Sequence, residues 1–144
     1  MTATRSTQEE HAYRKYSRAH QHDACPFCAI KTGHPQYVEE TKSLKVIRNR
    51  MPYSVWDGQG VTDHLMIVPK LHTDKLGHID SEAAVEFIAL VDKYETAGYN
   101  LYARAPSSKV KSVFHQHAHL IKLDGAHKRF LLFLRKPFYF RLSR

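Results

Sequence analysis

The sequence predicts an α+β fold with a mostly antiparallel β-sheet, and two observations lead to that prediction. Segments that alternate in polarity or run continuously apolar, as β-strands do, outnumber the segments with helical periodicity. One strong helical pattern, which begins near Asp80, separates two pairs of these candidate strands. Strands grouped on either side of a single helix are typical of α+β proteins rather than of parallel α/β proteins.

Four segments before this helix carry structural signals. Residues 29–33 predict a short helical turn that ends at a glycine. Residues 43–48 alternate and predict a strand, whereas residues 53–63 contain two glycines and predict a loop or a hairpin. The apolar run at residues 64–68 predicts a buried central strand.

The helical segment has recognisable ends and one apolar stripe. Asp80 or Ser81 is a suitable N-cap, and Gly98 is a suitable terminator. Apolar residues at spacings i, i+3, i+4 and i+7 predict the face that packs on the sheet. These residues are Ala84, Phe87, Ile88 and Val91.

After the helix, residues 99–104 predict a strand and residues 105–111 a loop rich in proline, serine and lysine. Residues 113–122 predict a second strand, which carries three histidines at alternate positions. The remaining tail is apolar and basic by turns.

Length and composition indicate a single domain. The 144 residues divide into a polar N-terminal arm, residues 1–24, and one domain, residues 25–144, which includes the basic apolar tail. No apolar run approaches the roughly 20 residues of a membrane span, and the N-terminus lacks the apolar core of a signal peptide. We therefore expect a cytoplasmic protein without membrane association.

The net charge of +8, from 22 basic and 14 acidic residues, suits an anionic partner and is equally well explained by solubility alone. A phosphorylated small molecule and nucleic acid both have the required sign. Nucleic acid is the less favoured of the two. The aromatic residues at the end of the tail are better explained by packing or a dimer surface than by base stacking.

Both cysteines lie in one Cys-Pro-Phe-Cys motif, Cys25 and Cys28. In a cytosolic chain this spacing indicates half of a metal site or a redox pair before it indicates a structural disulfide. The polar segment before Cys25 does not resemble the strand that precedes a thioredoxin-like motif. Metal binding is therefore favoured, with free thiols and a redox pair as alternatives.

The histidine segment constrains what its three members can do together. In a strand, His115, His117 and His119 share one face, about 6.6 Å between neighbours and about 13 Å between the outer two. An imidazole–metal bond is only about 2 Å long. One metal ion can therefore take an adjacent pair, which leaves at least one histidine for other chemistry.

The segment His115-Gln-His-Ala-His-Leu-Ile121 resembles the signature of the histidine triad (HIT) superfamily of nucleotide hydrolases and transferases. Three further segments occur in the family's order: the Cys-Pro-Phe-Cys motif, residues 63–72 with their Pro-Lys-Leu-His ending, and the Lys-Ser-Val-Phe run before the triad. The resemblance covers roughly residues 25–123. It implies a five-stranded, mostly antiparallel sheet with one long helix and a short N-terminal helix.

The resemblance also implies a catalytic set. His117 would be the nucleophile that attacks an α-phosphate and forms a nucleotidyl-histidine intermediate. His119 would line the phosphate site, and Ser112 would bind the phosphate or the leaving group. Neutral imidazole is a good nucleophile near pH 7, and covalent catalysis divides one difficult displacement into two easier ones.

For the metal, the resemblance implies a structural zinc ion with two thiolate and two imidazole ligands, which is a closed tetrahedral site. The ligands would be Cys25, Cys28, His72 and His115. His64 is the competing fourth ligand, or else it supports the triad. A catalytic metal held by the other two triad histidines is a further alternative.

The chain departs from the family pattern around the substrate. Asn49 stands where many members place an acidic residue that holds the ribose, and Arg104 and Lys111 replace uncharged residues. With His64, these are the candidate substrate-binding residues. The cationic rim of Arg104, Lys109 and Lys111 predicts a more negatively charged substrate or a different leaving group. The alternative function is a zinc-stabilised module that binds nucleotides or nucleic acid without turnover. The resemblance further implies a homodimer formed through the long helix and an edge strand.

Overall fold

The structure is a computed structural model that describes residues 5–20, 24–127, 131–135 and 139–143. It has three α-helices and eight strands in these ranges. The helices are α1 (Thr7–Ala19), α2 (Pro26–Ala29) and α3 (Ser81–Thr96). The strands are β1 (Tyr37–Glu40), β2 (Leu44–Arg48), β3 (Val55–Trp56), β4 (Gln59–Pro69), β5 (Tyr99–Ala103), β6 (Ala118–His127), β7 (Leu131–Arg135) and β8 (Tyr139–Ser143). Within the described residues, no helix has the length and apolar composition that a membrane span requires.

The main sheet is antiparallel, with strand order β1-β2-β4-β6-β5 and β3 paired to one end of β4. This confirms the predicted α+β fold, with β3 added to a five-strand path. The β7–β8 pair forms a separate two-stranded sheet from the tail. β1 is an edge strand that the sequence pattern did not predict.

Residues 53–63 form a hairpin excursion, which was one of the two predicted outcomes. Asp57 and Gly58 connect β3 to β4, and both have positive φ, 48° and 74°. Two-residue hairpin turns with positive φ at both positions match the twist of the flanking strands, and Asp-Gly is a favoured pair there. The hairpin places Tyr53 and Trp56 beside the central strands.

Helix α3 begins and ends where the sequence predicts, but its buried face differs. The Asp80 carboxylate accepts the Ala83 backbone N–H at 2.8 Å, and Gly98 has a φ of 85°. Ile88 is 64% exposed, so its place in the predicted stripe is wrong. The helix is rotated so that it packs through Ala83, Phe87, Leu90, Val91 and Tyr94.

Both faces of the sheet are covered. Helix α3 packs on one face, against apolar residues of the three central strands, and the other face packs on α2. The second core contains Phe27, Ile30, Ile47, Met66 and Val68. This second face is the one that carries the histidines.

Lys45 points to the second face and ties α2 to the sheet. It is buried, and its ammonium donates to the carbonyl oxygens of Phe27 and Ile30, each at 2.6 Å. Burial lowers the pKa of Lys45. The Phe27 carbonyl also accepts the Ile30 backbone N–H at 3.3 Å, so Lys45 adds a second hydrogen bond to it and reinforces the end of α2.

Two predicted elements are shifted. The histidine strand begins at Ala118 rather than at residue 113, so His115 and His117 precede it. The short helix spans Pro26–Ala29 rather than residues 29–33, because Pro26 is a favoured first helical residue. The chain is already extended at Ile30.

The described part of the predicted N-terminal arm is mostly the helix α1. Ser6 and Glu9 form a capping box, with the Ser6 N–H donating to the Glu9 carboxylate at 2.7 Å. The Ser54 hydroxyl donates to Glu9 at 2.8 Å, and Arg50 stacks on Tyr16 at 4.5 Å. The start of α1 therefore contacts the hairpin region. The division into an arm and a domain stays a prediction.

Candidate active site and metal centre

The three triad histidines are all buried, with 0%, 6% and 5% of His115, His117 and His119 exposed. In the sheet register, His119 lies opposite Met66 on β4 and Tyr102 on β5. His115 and His117 lie in the irregular segment before β6. This segment is fixed by the Gln116 backbone N–H, which donates to the Thr73 carbonyl at 2.6 Å.

His115 faces the cysteines with its Nδ1 atom. Its Nε2 lies 2.9 Å from the Pro69 carbonyl oxygen, which only accepts hydrogen bonds, so Nε2 carries the proton. Nδ1 then has a free lone pair, and it lies 3.4 Å from Cys25 Sγ and 3.5 Å from Cys28 Sγ. The backbone thus prepares this nitrogen as a metal ligand.

The donors around His115 fit a tetrahedral metal ion. His72 Nδ1 lies 3.3 Å from Cys28 Sγ, and the four donor atoms of Cys25, Cys28, His72 and His115 all lie within 4.8 Å of one another. Bonds of about 2.3 Å to sulfur and about 2.0 Å to nitrogen give ligand–ligand distances of about 3.5 Å in a tetrahedron. Both cysteines are free thiols. His64 does not belong to this group.

His117 uses the opposite ring nitrogen. Its Nδ1 lies 2.9 Å from the carbonyl oxygen of His115 and therefore carries the proton, which leaves the Nε2 lone pair free. The Phe27 ring meets the imidazole edge to face, with centroids 5.0 Å apart. Burial lowers the pKa of His117 to about 4, so the ring is neutral at pH 7.

His64 and His119 form a directed pair. The Tyr53 backbone N–H donates to His64 Nδ1 at 3.1 Å, so the proton of neutral His64 is on Nε2. His64 Nε2 lies 2.9 Å from His119 Nδ1, which therefore accepts, and the proton of His119 is on its own Nε2. Burial lowers the pKa of His64 to about 3 and holds the pKa of His119 well below its usual value.

The predicted substrate-binding residues surround this pair with differing closeness. The Asn49 amide nitrogen is 3.1 Å from His64 Nε2, and its oxygen accepts the Met51 N–H at 2.9 Å. Arg104 donates to the Tyr53 hydroxyl at 3.0 Å. The charges of Arg104 and Lys111 contribute to the lowered pKa of His117, after burial and against the His115 hydrogen bond.

Lys111 and Ser112 lie on the segment that leads to the triad. The Lys111 ammonium donates to the Gln116 side-chain oxygen and, at 3.5 Å, to the Asp74 carbonyl. Ser112 is exposed, and its hydroxyl makes no hydrogen bond to any residue that the structure describes. The structure therefore brings Lys111 to the histidine segment and leaves the Ser112 side chain exposed.

Aromatic residues at the site were missed from the sequence. Tyr53 is buried, with its ring centroid 4.6 Å from that of His64 and 5.6 Å from that of His119. Trp56 stacks on Tyr53 at 5.4 Å and also lies 4.8 Å from Tyr102. A pocket of about 360 Å³ lies beside Tyr53, Asn49 and His64. Because the hairpin carries no motif, its aromatic content was the only signal available.

Comparisons with known proteins identify relatives of this chain. No protein-family model matches the chain. The adenosine 5'-monophosphoramidase HNT1 of Candida albicans is 31% identical over 119 residues, which cover 73% of this chain and 74% of the relative. A crystal structure of a histidine triad nucleotide-binding protein from Candida albicans has a TM-score of 0.56 and 25% identity, over 72% of this chain and 78% of that one. A Zn-bound histidine triad family protein from Mycobacterium smegmatis has a TM-score of 0.53 and 24% identity, over 71% and 77% of the two chains.

Proposed function

Because this chain belongs to the histidine triad family, we propose that it hydrolyses or transfers a nucleotidyl group at an α-phosphate, through a covalent intermediate on His117. The coarser part of this function, an enzyme of the HIT hydrolase type, follows from the relatives. The observation that carries the finer part is the hydrogen bond from His117 Nδ1 to the His115 carbonyl oxygen. It leaves the Nε2 lone pair of a neutral imidazole available for attack.

In the first step, the Nε2 lone pair of His117 forms a bond to the α-phosphorus. The bond between phosphorus and the leaving group breaks, its electron pair departs with the leaving group, and a nitrogen leaving group takes up a proton from solvent. The imidazole becomes positively charged, and the His115 carbonyl stabilises that charge through Nδ1–H. His64 fixes the proton of His119 on Nε2. This N–H can donate a hydrogen bond to a phosphoryl oxygen, where negative charge develops.

In the second step, water or another acceptor attacks the same phosphorus. The phosphorus–nitrogen bond breaks, its electron pair returns to His117 Nε2, and the proton of the attacking water passes to solvent. Water gives hydrolysis, and a different acceptor gives nucleotidyl transfer. The same imidazole is thus nucleophile in one step and leaving group in the other.

The remaining predicted residues are assigned to the substrate. Asn49 would bind the ribose hydroxyls, with a weaker hydrogen bond than a carboxylate provides. Arg104 and Lys111 would bind phosphoryl oxygens. Ser112 would contact the leaving group, which requires its segment to approach the triad when substrate binds.

We propose zinc as the ion for Cys25, Cys28, His72 and His115. The donor set and its spacing support this assignment, as does the Zn-bound relative from Mycobacterium smegmatis. A closed site of two thiolates and two imidazoles is structural, so the bound ion would supply a cross-link between separate segments rather than a reaction step. It would tie α2 to the segment after β4 and hold His115, whose carbonyl orients His117.

The test is to trap the intermediate. The purified protein is mixed with an adenosine 5'-phosphoramidate, chosen because a relative is named for that activity. Rapid acid-free quenching and peptide mass spectrometry should find one nucleotidyl group on the peptide that contains His117. A His117→Ala protein with unchanged circular dichroism should give neither adduct nor product. Turnover by that variant would overturn the mechanism.

The alternative, a binding module without turnover, is favoured by Asn49 in place of a carboxylate and by the net charge of +8. It would show nucleotide or oligonucleotide binding that falls steeply with salt, and no adduct on any nucleotide in a screen. An adduct on His117 would exclude it.

A homodimer is also proposed, through α3 and the edge strand β5. Val85 and Ile88 lie on the outer side of α3 and are 72% and 64% exposed, and Leu101 of β5 is 40% exposed. Light scattering should report a dimer that Ile88→Lys converts to a monomer. A monomeric parent protein would contradict the proposal. A cytoplasmic location stays a prediction.

A further inference from the structure

Tyr53 joins two arginines from distant parts of the chain. The Arg5 guanidinium lies over the Tyr53 ring, 4.9 Å from its centroid, and Arg104 donates to the Tyr53 hydroxyl at 3.0 Å. The same ring lies beside both His64 and His119. Two permanent positive charges therefore reach the histidine pair, one from the segment before α1 and one from the segment after β5.

The position of Arg5 is well defined by its contacts. Its Nη2 donates to the Met51 carbonyl oxygen at 2.8 Å, and its guanidinium also lies over the Tyr13 ring at 4.4 Å. Arg5 is therefore stacked between an aromatic ring of α1 and the buried ring of Tyr53. A planar guanidinium is suited to stacking and can still direct its N–H groups at an anion.

No ion pair among the described residues neutralises these charges. In the part of the chain that the structure describes, no carboxylate lies within 4.0 Å of Arg5 or Arg104. Hydrogen bonds from Ser6, with a smaller contribution from the charge of Arg5, lower the pKa of Glu9. That carboxylate accepts from Ser6 and Ser54 instead of pairing with the arginine.

The Arg5 Nε–H is the one buried side-chain polar atom without a hydrogen-bond partner among the described residues. A buried donor without an acceptor is destabilising, and such groups are rare in native structures unless a ligand or water completes them. Burial first, and then neighbouring charges that include Arg104 and Arg5, depress the pKa of His119. An anion at this position would satisfy the donor and offset both charges.

We propose that Arg5 and Arg104, arranged on Tyr53, form an anion subsite beside His119 that binds a second phosphoryl group of the substrate. The N-terminal arm then contributes a residue to the site, and the preferred ligands are nucleotides with at least two phosphates. This rests on the proposed function for the identity of the ligand, whereas the anion subsite itself depends only on the arginines.

The test compares ligands that differ by one phosphate. Calorimetric affinities for adenosine, AMP and ADP are measured in a His117→Asn background, so that nucleotides are not consumed. Arg5→Gln should weaken ADP binding about tenfold, AMP binding less, and adenosine binding not at all, since a charge-assisted hydrogen bond to the second phosphate is lost. Arg5→Lys keeps the charge and should recover part of the ADP affinity.

Arg50→Gln is the matched control, because Arg50 also attaches α1, by stacking on Tyr16, but does not contact Tyr53 or the histidines. It should leave the preference for ADP over AMP unchanged. Equal weakening of all three ligands by Arg5→Gln and Arg50→Gln would mean that Arg5 only anchors α1, and unchanged ADP binding would also overturn the subsite.

Inorganic pyrophosphate separates this inference from the proposed function. Pyrophosphate binding that Arg5→Gln abolishes supports the subsite even if no adduct forms on His117. If an adduct forms on His117 but Arg5→Gln does not change pyrophosphate binding, the proposed function stands and the subsite is overturned.

Discussion

His115 and His117 are two residues apart and both buried, yet a backbone carbonyl engages opposite nitrogens of their rings. Pro69 accepts from Nε2 of His115, whereas His115 itself accepts from Nδ1 of His117. The free lone pair is therefore on Nδ1 in the first ring and on Nε2 in the second. The role of each histidine is set by the carbonyl that holds it, since the residue type and the burial are the same.

The two sides of the segment also differ in what surrounds the free nitrogen. On one side Nδ1 of His115 faces two thiols, and on the other His117 lies against His119, with ring centroids 4.8 Å apart. Phe27 contacts both rings, His115 at 6.0 Å and His117 at 5.0 Å. One apolar side chain thus packs against both His115 of the proposed metal site (the metal side) and His117 of the proposed phosphate site (the phosphate side). A separate substitution can disrupt each side.

The largest effect is expected on the phosphate side. His117→Ala removes the proposed nucleophile but none of the proposed metal ligands, so kcat/KM should fall by about 10³-fold or more. Metal content and melting temperature should stay near those of the parent protein. Retained activity in this variant, or a loss of metal like that of a ligand variant, would contradict the separate roles of His115 and His117.

The next effect is expected on the metal side. Cys25→Ser removes one thiolate, and loss of an ion present at 100 times its Kd costs about 3 kcal/mol of stability, or roughly 10 °C in Tm. The metal content, measured by mass spectrometry, should fall from one ion per chain to a small fraction of that value. Chelator-treated parent protein is the control and should reach the same Tm. An unchanged metal content in Cys25→Ser would contradict the assigned ligands.

A smaller effect on kcat is expected from His64, which contacts His119 and acts on the proposed phosphate site only through it. His64→Leu removes the donor that fixes the tautomer of His119, and loss of such orienting partners typically costs about 10- to 100-fold. His64→Gln retains an N–H near the original Nε2 position and should lose less. The kcat of the two variants should therefore differ while their KM values stay similar. Equal kcat values would show that the tautomer of His119 is not set by His64.

The sequence was sufficient for the features that depend on local chemistry. The Asp80 cap and the Gly98 terminator each depend on a few neighbouring residues. Each of the four motifs is likewise a short run that can be recognised without the fold. Features that depend on tertiary packing were missed. Ile88 follows the helical period but faces outward, because the rotation of α3 is set by the sheet it covers.

The candidate site shows the same division. The spacing of the triad predicts that one metal ion cannot bind all three histidines. It does not predict which ring nitrogen of each histidine a backbone carbonyl engages. Arg5 carried no signal, because only the fold brings a residue of the N-terminal arm to the central strands. Contacts between residues about 50 positions apart are not visible in local patterns.

The smallest effect is expected when the pH is lowered. It is a loss of folding stability that originates from the protonation of His64. Burial lowers the pKa of folded His64 from 6.5 to about 3, with Arg5 and His117 lowering it further and Asp63 opposing them. Between these pH values the unfolded chain binds a proton that the folded protein does not, so stability falls as pH decreases through this window. At pH 5 the loss relative to pH 7 from His64 is about 2 kcal/mol.

Acid also protonates the thiols and imidazoles of the metal side, so the measurement is made on chelated protein. Urea unfolding of the chelated parent and of chelated His64→Gln is compared at pH 7 and pH 5. The parent should lose more stability than the variant, because glutamine does not titrate. Equal losses would show that folding does not lower the pKa of His64, so that the folded protein binds this proton at pH 5 as readily as the unfolded chain. A protonated His64 cannot accept the Tyr53 N–H through Nδ1, so such a result would mean that this hydrogen bond and the His64–His119 pair do not hold the ring neutral in acid.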